Sequence, residues 1–386
     1  MVLLKLDLIK LLYNITIDKR GDNIRGLYIH IPFCEYICHY CDFVKRVPKN
    51  NEMIETYLDR LIDEINLYKD SFSKIETIYI GGGTPSMLSP VQLEKLLTAL
   101  QGIHPGEFSI EVNPDSYSEE KGKVFKKYGI NRVSLGVQSF DDDILKYVNR
   151  QHTKDQVFDV VNHLKSIGIP HLSIDLIYAI PGQTLEHIKK DLDYTMQLGI
   201  THVSCYSLIL EDKTYFYHQY LKGNFEPASE DTEAEMFEYV TKYLKENGFE
   251  HYEISNYAKN GDYSKHNMIY WNLDEYIGVG LGAHGFINNV RTLNEKSMPK
   301  YLDHFKASEM PQTNEDLLQD DLIFGLRKTK GISISYVKDR YGIDLFEKYP
   351  KLKEKMDYGL LKIENDHLSL TERGMMLGNQ VFVLFI

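Results

Sequence analysis

The sequence predicts an α/β protein built on a parallel sheet, followed by a smaller, mostly helical C-terminal part. Three observations carry this. Short runs rich in Ile, Val and Tyr alternate with longer segments of helical periodicity from about residue 27 to 250. Turn residues or polar loops follow each short run. After about residue 250 the alternation stops, and helical patterns return only from Asn314 onward.

The strands are expected at Leu27–Ile31, Ile75–Ile80, Phe108–Val112, Arg132–Val137, His171–Ile177 and His202–Leu208. Between them, Ile54, Leu58, Leu61, Ile62, Ile65 and Tyr68 recur at helical spacing and form one apolar face. Leu93, Leu96, Leu97 and Leu100 repeat the pattern, as do Val157, Val160, Val161 and Leu164, then Ile188, Leu192 and Met196. Phe237, Val240, Tyr243 and Leu244 close the series. Consecutive strand-helix units imply right-handed crossovers, in an open barrel or a doubly wound sheet. In both, functional loops lie at the C-terminal ends of the strands. Residues 251–300 are polar and rich in Gly and Asn, with little periodicity. Leu317, Leu318, Leu322 and Leu326 predict one later helix, and Ile334, Val337 and Tyr341 another. A hairpin is expected at Leu360–Ile363 and His367–Leu370, so this part reads as winged-helix-like.

The 386 residues carry 44 Lys and Arg against 56 Asp and Glu, a net charge of −12. That balance argues against nucleic acid as a partner, because phosphate binding needs clustered positive charge. No stretch approaches the roughly 18 apolar residues of a membrane span. Val2 to Leu12 is apolar but interrupted by Lys5, Asp7 and Lys10, unlike a signal peptide. The expected compartment is the cytoplasm, with peripheral membrane contact left open.

Three of the four cysteines, Cys34, Cys38 and Cys41, fall within eight residues, while Cys205 stands alone inside a strand. Such a triplet in a reducing compartment reads as a metal site rather than a disulfide scaffold. Soft thiolates select zinc, copper(I) or an iron-sulfur cluster. Structural zinc wants four ligands, whereas a cubane on three thiolates leaves one iron open to a small molecule. A zinc staple in an interaction module stays the bland alternative.

Placed directly after the first strand, this cysteine loop resembles the radical S-adenosylmethionine (SAM) superfamily. The resemblance implies a [4Fe-4S] cluster whose open iron chelates the methionine part of SAM, and one-electron cleavage of SAM in members that do chemistry. Gly81-Gly-Gly-Thr-Pro85, after the second strand, has no Cβ over three residues, so backbone can approach a ligand and offer N–H groups. Glu111, Gln138, Arg150 and Asp175 fall at or after successive strand ends, where one pocket would gather them. Asp and Glu suit ribose hydroxyls or the ammonium of SAM, and Arg suits its carboxylate. The resemblance assigns the cluster to Cys34, Cys38 and Cys41, and the SAM site to Tyr28, Gly82, Gly83, Thr84, Glu111, Gln138, Arg150 and Asp175.

Tyr28-Ile-His-Ile-Pro-Phe-Cys34, Gly136-Val-Gln-Ser-Phe140, Asp175-Leu-Ile-Tyr178 with Pro181-Gly-Gln183, Tyr206-Ser-Leu208 with Glu211, and Gly278-Val-Gly-Leu-Gly-Ala-His284 narrow the match. They are similar to the oxygen-independent coproporphyrinogen III oxidase-like group, over roughly residues 27 to 380. That resemblance implies a partial (β/α)6 barrel. The expected division is an extension over 1–26, the barrel over 27–250, a connecting segment over 251–312 and a helical domain over 313–386.

Within the group, the true oxidases carry a fourth cysteine two residues after the third, where this chain has Phe43, and a longer segment ahead of the cluster than the 33 residues before Cys34. Both departures resemble the group's heme-chaperone branch, as does His266-Asn-Met-Ile-Tyr270-Trp271, which holds the chain's sole Trp. His266 is the expected heme ligand, with Tyr270 and Trp271 offering flat apolar area. The resemblance implies heme as cargo, delivered to client hemoproteins of respiratory type, and leaves a homodimer open. The alternative is an active oxidase of porphyrin biosynthesis. Gly280-Leu-Gly-Ala-His-Gly285 matches a dinucleotide pattern, but without a clear strand before it or a helix after it, it reads as close backbone packing.

Overall fold

The computed structural model describes residues 24–386. The expected N-terminal extension lies outside the described residues up to residue 23, and the first strand begins at Ile24. The strands are β1 (Ile24–Ile31), β2 (Thr77–Gly82), β3 (Glu107–Val112), β4 (Arg132–Gln138), β5 (His171–Tyr178), β6 (His202–Ser207), β7 (Glu250–Glu253), β8 (Asn256–Ala258), β9 (Glu275–Val279), β10 (His284–Ile287), β11 (Val290–Asn294) and β12 (Lys306–Pro311). They form one twelve-stranded sheet in the order β12-β11-β10-β9-β1-β2-β3-β4-β5-β6-β8-β7. β1 to β6 run parallel in sequential order. A doubly wound sheet reverses its order part-way. This one does not, so the architecture is the partial barrel.

Side chains alternate across these strands, and the two faces differ in chemistry. Leu27, Ile29, Ile78, Ile80, Ile110, Val133, Leu135, Ile174 and Val203 are buried in the main core. The helices Asn51–Asn66, Pro90–Thr98, Lys154–Ser166, Leu185–Gln197 and Glu230–Glu246 bury their apolar faces in this layer. Side chains from Asn50, Ser89, Thr153 and Ser229 accept backbone N–H bonds at four of the helix starts. The opposite face carries Tyr79, Ser109, Glu111, Ser134, Asp175, His202 and Ser204, all bordering one cavity. Polar groups are tolerated there because a cavity, unlike a packed core, leaves them a partner. Cys205 points to the core side and is buried.

Residues 251–300 depart from the expectation of a connecting segment with little periodicity. They hold β7 to β11 and the helix Lys265–Trp271, and they extend the sheet at both ends. Strands of three to five residues are too short for a period to register. β9 pairs in parallel with β1, so Gly280-x-Gly282-x-x-Gly285 does follow a strand. It leads into antiparallel β10 rather than a helix, and its role is close packing. A Cβ on Gly280 would lie 2.6 Å from the His30 carbonyl oxygen.

The C-terminal part has its own core, including Leu318, Leu322, Leu326, Val337, Leu352 and Leu368. It combines the helices Asn314–Arg327 and Ile334–Tyr341 with a small sheet of β13 (Ile332–Ser333), β14 (Leu361–Glu364) and β15 (His367–Leu370). Asn365 and Asp366 both adopt positive φ in the two-residue hairpin turn. No helix among the described residues is long and apolar enough to cross a membrane.

Gly278 tests the packing of β9 on β10. A Cβ there would sit 1.8 Å from the His284 carbonyl oxygen. Gly278→Ala is expected to lower the unfolding free energy by roughly 3 kcal/mol, the upper end of ordinary overpacking. Gly106→Ala, whose Cβ meets only the Glu76 carbonyl oxygen at 3.8 Å, should stay within about 0.5 kcal/mol. Urea unfolding of both variants checks this.

Candidate functional site

The loop after β1 is tied at both ends. Arg46 N donates to Pro32 O at 2.7 Å, and Cys34 N donates to Arg46 O at 3.0 Å. Within it, Cys41 N donates to Cys38 O, and the Asn149 side chain donates to Ile37 O at 2.7 Å. Cys34, Cys38 and Cys41 all border the cavity over the strand ends, a space of about 470 Å³. Cys34 is buried, and the other two are half-buried. Burial pushes the Cys34 thiol up to about 11 and raises that of Cys41, so both stay protonated until a metal displaces the proton. Arg150 Nη1 lies 3.7 Å from Cys38 Sγ and supplies positive charge beside it.

The set fits a cluster better than a single ion. Among the described residues, no three His, Cys, Asp or Glu side chains are grouped to hold one metal ion. A cubane takes one thiolate per iron and so spreads its ligands. Room is kept at Cys34 by Gly83, whose Cβ would come within 3.0 Å of the sulfur and 2.7 Å of the Phe33 carbonyl oxygen.

Gly82, Gly83, Thr84, Glu111, Gln138, Arg150 and Asp175 border the same cavity as the cysteines. The glycine turn works differently from the expectation of free N–H groups. Gly82 N donates to Glu111 Oε2 at 3.0 Å, Gly83 N to Ile31 O at 2.7 Å and Thr84 N to Phe33 O at 2.8 Å. These glycines therefore permit close approach but have their donors engaged. Glu111 also accepts from Tyr79 OH at 2.8 Å, and Asp175 from Ser134 Oγ at 2.9 Å. Both carboxyls lie deep below the cavity rim, and burial pushes Glu111 up to about 7 and Asp175 to about 6. Arg150 binds the Gly136 carbonyl oxygen and reaches Asn113 Oδ1 at 2.9 Å. Gln138 sits at positive φ beside a register shift in β4, a strained backbone of the kind found at ligand sites. Asn113, Ser134 and Ser204 belong to this network without having been singled out in the sequence. Two-residue spacing from Glu111 was the available signal for Asn113, whereas Ser134 lies across from Glu111 and Ser204 across from Asp175 only once the strands pair.

Two of the expected site residues have surroundings that the sequence does not show. Tyr28 does not border the cysteine cavity. It lines a second cavity of about 470 Å³, because its partner on the other side of β1 is β9. His266 is fully buried, with Nδ1 bonded to Thr77 Oγ1 at 2.7 Å and Nε2 to Tyr270 OH at 2.8 Å. Burial lowers its pKa to about 3. Both ring nitrogens are engaged in hydrogen bonds inside the fold. Tyr270 and Trp271 do line the second cavity, together with Tyr276, Phe286 and Phe324. Asp42 and Phe43 border both cavities, so the two spaces meet at the cluster loop.

Comparison with known proteins agrees with this geometry. The radical SAM superfamily model matches residues 28–195, and the HemN C-terminal domain model matches residues 312–377. The heme chaperone HemW of Bacillus subtilis (strain 168) is 39% identical over 377 residues, covering 94% of this chain and 99% of that protein. The chain belongs to the HemW family. The heme chaperone HemW of Lactococcus lactis subsp. lactis (strain IL1403) is 40% identical, covering 93% of this chain and 96% of its own length. The solved structure of coproporphyrinogen III oxidase (HemN) from Escherichia coli superposes with a TM-score of 0.83 at 22% identity, over 99% of this chain and 92% of that one. That likeness shows the shared fold, within which this HemW family chain carries Phe43 beside its cysteine triplet.

His266→Ala is expected to destabilise the protein by roughly 2–4 kcal/mol, since it opens a cavity and leaves Thr77 and Tyr270 unpaired. Urea unfolding run beside any ligand titration will show lost binding in that variant tracking lost folded protein.

Proposed function

We propose that this chain is a heme chaperone that carries a [4Fe-4S] cluster on Cys34, Cys38 and Cys41 and binds SAM over the ends of β1 to β6. The observation that carries the reading is the junction of two cavities at one loop. The polar cavity holds the three thiols, and the aromatic one meets it at Asp42 and Phe43. The curated HemW relatives, named heme chaperones and similar over nearly their full length, support it. When bound, the cluster supplies one-electron reducing power next to a sulfonium.

The chain's own residues bind and orient. Gly82 and Gly83 let the cluster loop and His30 pack against the end of β2, while Glu111 and Asp175 offer acceptors to an ammonium or to ribose hydroxyls. Arg150 offers a cation to a carboxylate and to the thiolate of Cys38. Heme passes from this protein to client hemoproteins of respiratory type, in the cytoplasm and at the membrane surface. The net charge of −12 supports a partner set without nucleic acid.

Anaerobic reconstitution followed by hemin titration tests the reading. Iron and sulfide uptake, a saturable Soret change and no protoporphyrinogen IX from coproporphyrinogen III with SAM and reductant are expected. Turnover to protoporphyrinogen IX, or absence of heme binding, overturns it.

The carboxyls give a pH signature. A proton on Glu111 or Asp175 removes an acceptor, and burial, which raises them to about 7 and about 6, places that change at neutrality for Glu111 and just below it for Asp175. SAM affinity is therefore expected to rise with pH, by about tenfold between pH 6 and pH 8 for the Glu111 step alone. Calorimetric titration of the cluster-loaded protein across that window checks it, and Glu111→Gln should flatten the profile.

A further inference from the structure

We propose that the aromatic cavity beside the cluster loop is the heme site, with His284 as the iron ligand and Lys296 and Arg291 meeting the heme carboxylates. This rests on the heme-chaperone reading and assigns residues to it.

Strand register builds the slot. Tyr276 of β9 lies opposite Phe286 of β10, and Phe286 lies opposite Arg291 of β11. His284 is two residues before Phe286 and so projects from the same face, as does Tyr28, which is two residues beyond the partner of Tyr276 on β1. The cross-strand partner of Tyr28 is Gly278, so the floor beside Tyr28 bears no side chain. Across from this face stand Trp271 and Phe324, with ring centroids 6.2 Å apart. A flat tetrapyrrole needs aromatic or aliphatic area of this kind. The volume, about 470 Å³, lies within the roughly 300–1,000 Å³ of small-molecule pockets.

Two histidines border the cavity, and only one is free to ligate. His30 is buried, with Nδ1 on Tyr28 OH at 2.9 Å and Nε2 on Val44 O at 2.7 Å. His284 is exposed, and its ring has no hydrogen-bond or ion-pair partner among the described residues. Imidazole is a standard axial ligand of heme iron. Lys296 is likewise exposed and unpartnered among the described residues. Arg291 binds Asp320 through Nε and Nη2, also hydrogen-bonds Tyr276, and holds its guanidinium over the Phe286 ring, which places its positive charge at the slot. Of the two acids bordering the cavity, Asp274 is paired with Arg25 at 2.8 Å, and Asp42 sits where the cavity meets the cluster loop. The buried Trp271 indole N–H has no partner, a donor left unsatisfied beside the slot.

Hemin is titrated anaerobically into cluster-loaded wild type, His284→Gly and Lys296→Gln. Wild type is expected to give the spectrum of a histidine-ligated heme. His284→Gly should give it only after imidazole is added, with iron content and melting temperature unchanged. Lys296→Gln should weaken hemin binding about two- to five-fold, as for an exposed ion pair, and leave binding of heme dimethyl ester unchanged. A His284→Gly protein with wild-type affinity and spectrum overturns the ligand assignment, as does a loss that imidazole does not restore. Equal hemin affinity in Lys296→Gln overturns the carboxylate assignment. Either result leaves the chaperone reading standing, whereas a wild type that binds no heme ends both.

Discussion

The geometry of both cavities depends on how the loop after β1 is held against the turn after β2. Two backbone bonds do this, Gly83 N to Ile31 O at 2.7 Å and Thr84 N to Phe33 O at 2.8 Å. They require contact so close that a Cβ on Gly82 would sit 2.5 Å from the His30 ring. His30 in turn binds the Val44 carbonyl oxygen at the far end of the cluster loop. Start, end and neighbouring strand are therefore locked together. The residues between have little freedom except to turn their thiols to one side and Phe43 to the rim of both spaces.

The wall between the cavities is the helix Lys265–Trp271, and its anchorage is ionic. The Glu107 carboxylate accepts from Lys265 N and His266 N at the helix start. Arg132 holds that carboxylate at 2.9 Å and also binds Asp262. Removing one member would strand a buried charge, so the network specifies position strongly whatever its net stability. Asn267 borders the polar cavity, and Tyr270 and Trp271, one turn further on, border the aromatic one. His266 braces this arrangement by joining Thr77 of β2 to the Tyr270 hydroxyl. The motif thus has its histidine inside the wall and its aromatic rings on the cavity surface.

Much of this was readable from one sequence, for identifiable reasons. The period of two along β1 to β6 separates the core-facing Ile and Val from Glu111 and Asp175, so strands and strand-end carboxylates declare themselves. The cysteine triplet is local, and local spacing survives folding. What a tertiary neighbour decides was not legible. Tyr28 belongs to the aromatic cavity only because β9 pairs with β1, and β9 is too short to show a period. His266 looked like a ligand because a sequence names the side chain but not its hydrogen-bond partners. His284 was hidden inside a glycine pattern that drew attention to backbone packing.

Phe43 links these points to the distinction between a chaperone and an oxidase. At the position where the oxidases that this chain resembles carry a fourth cysteine, Phe43 is 66% exposed. Burying a Phe side chain is worth roughly 1.5–3 kcal/mol, so an aromatic ring left in water is apolar area waiting for a partner. The replacement removes a sulfur and adds a flat surface, and it does so where the polar and aromatic cavities touch. A carrier that must hold a tetrapyrrole and release it gains from flat apolar area at that rim. The single residue that departs from the oxidase pattern thus changes the loop in the direction that cargo binding requires.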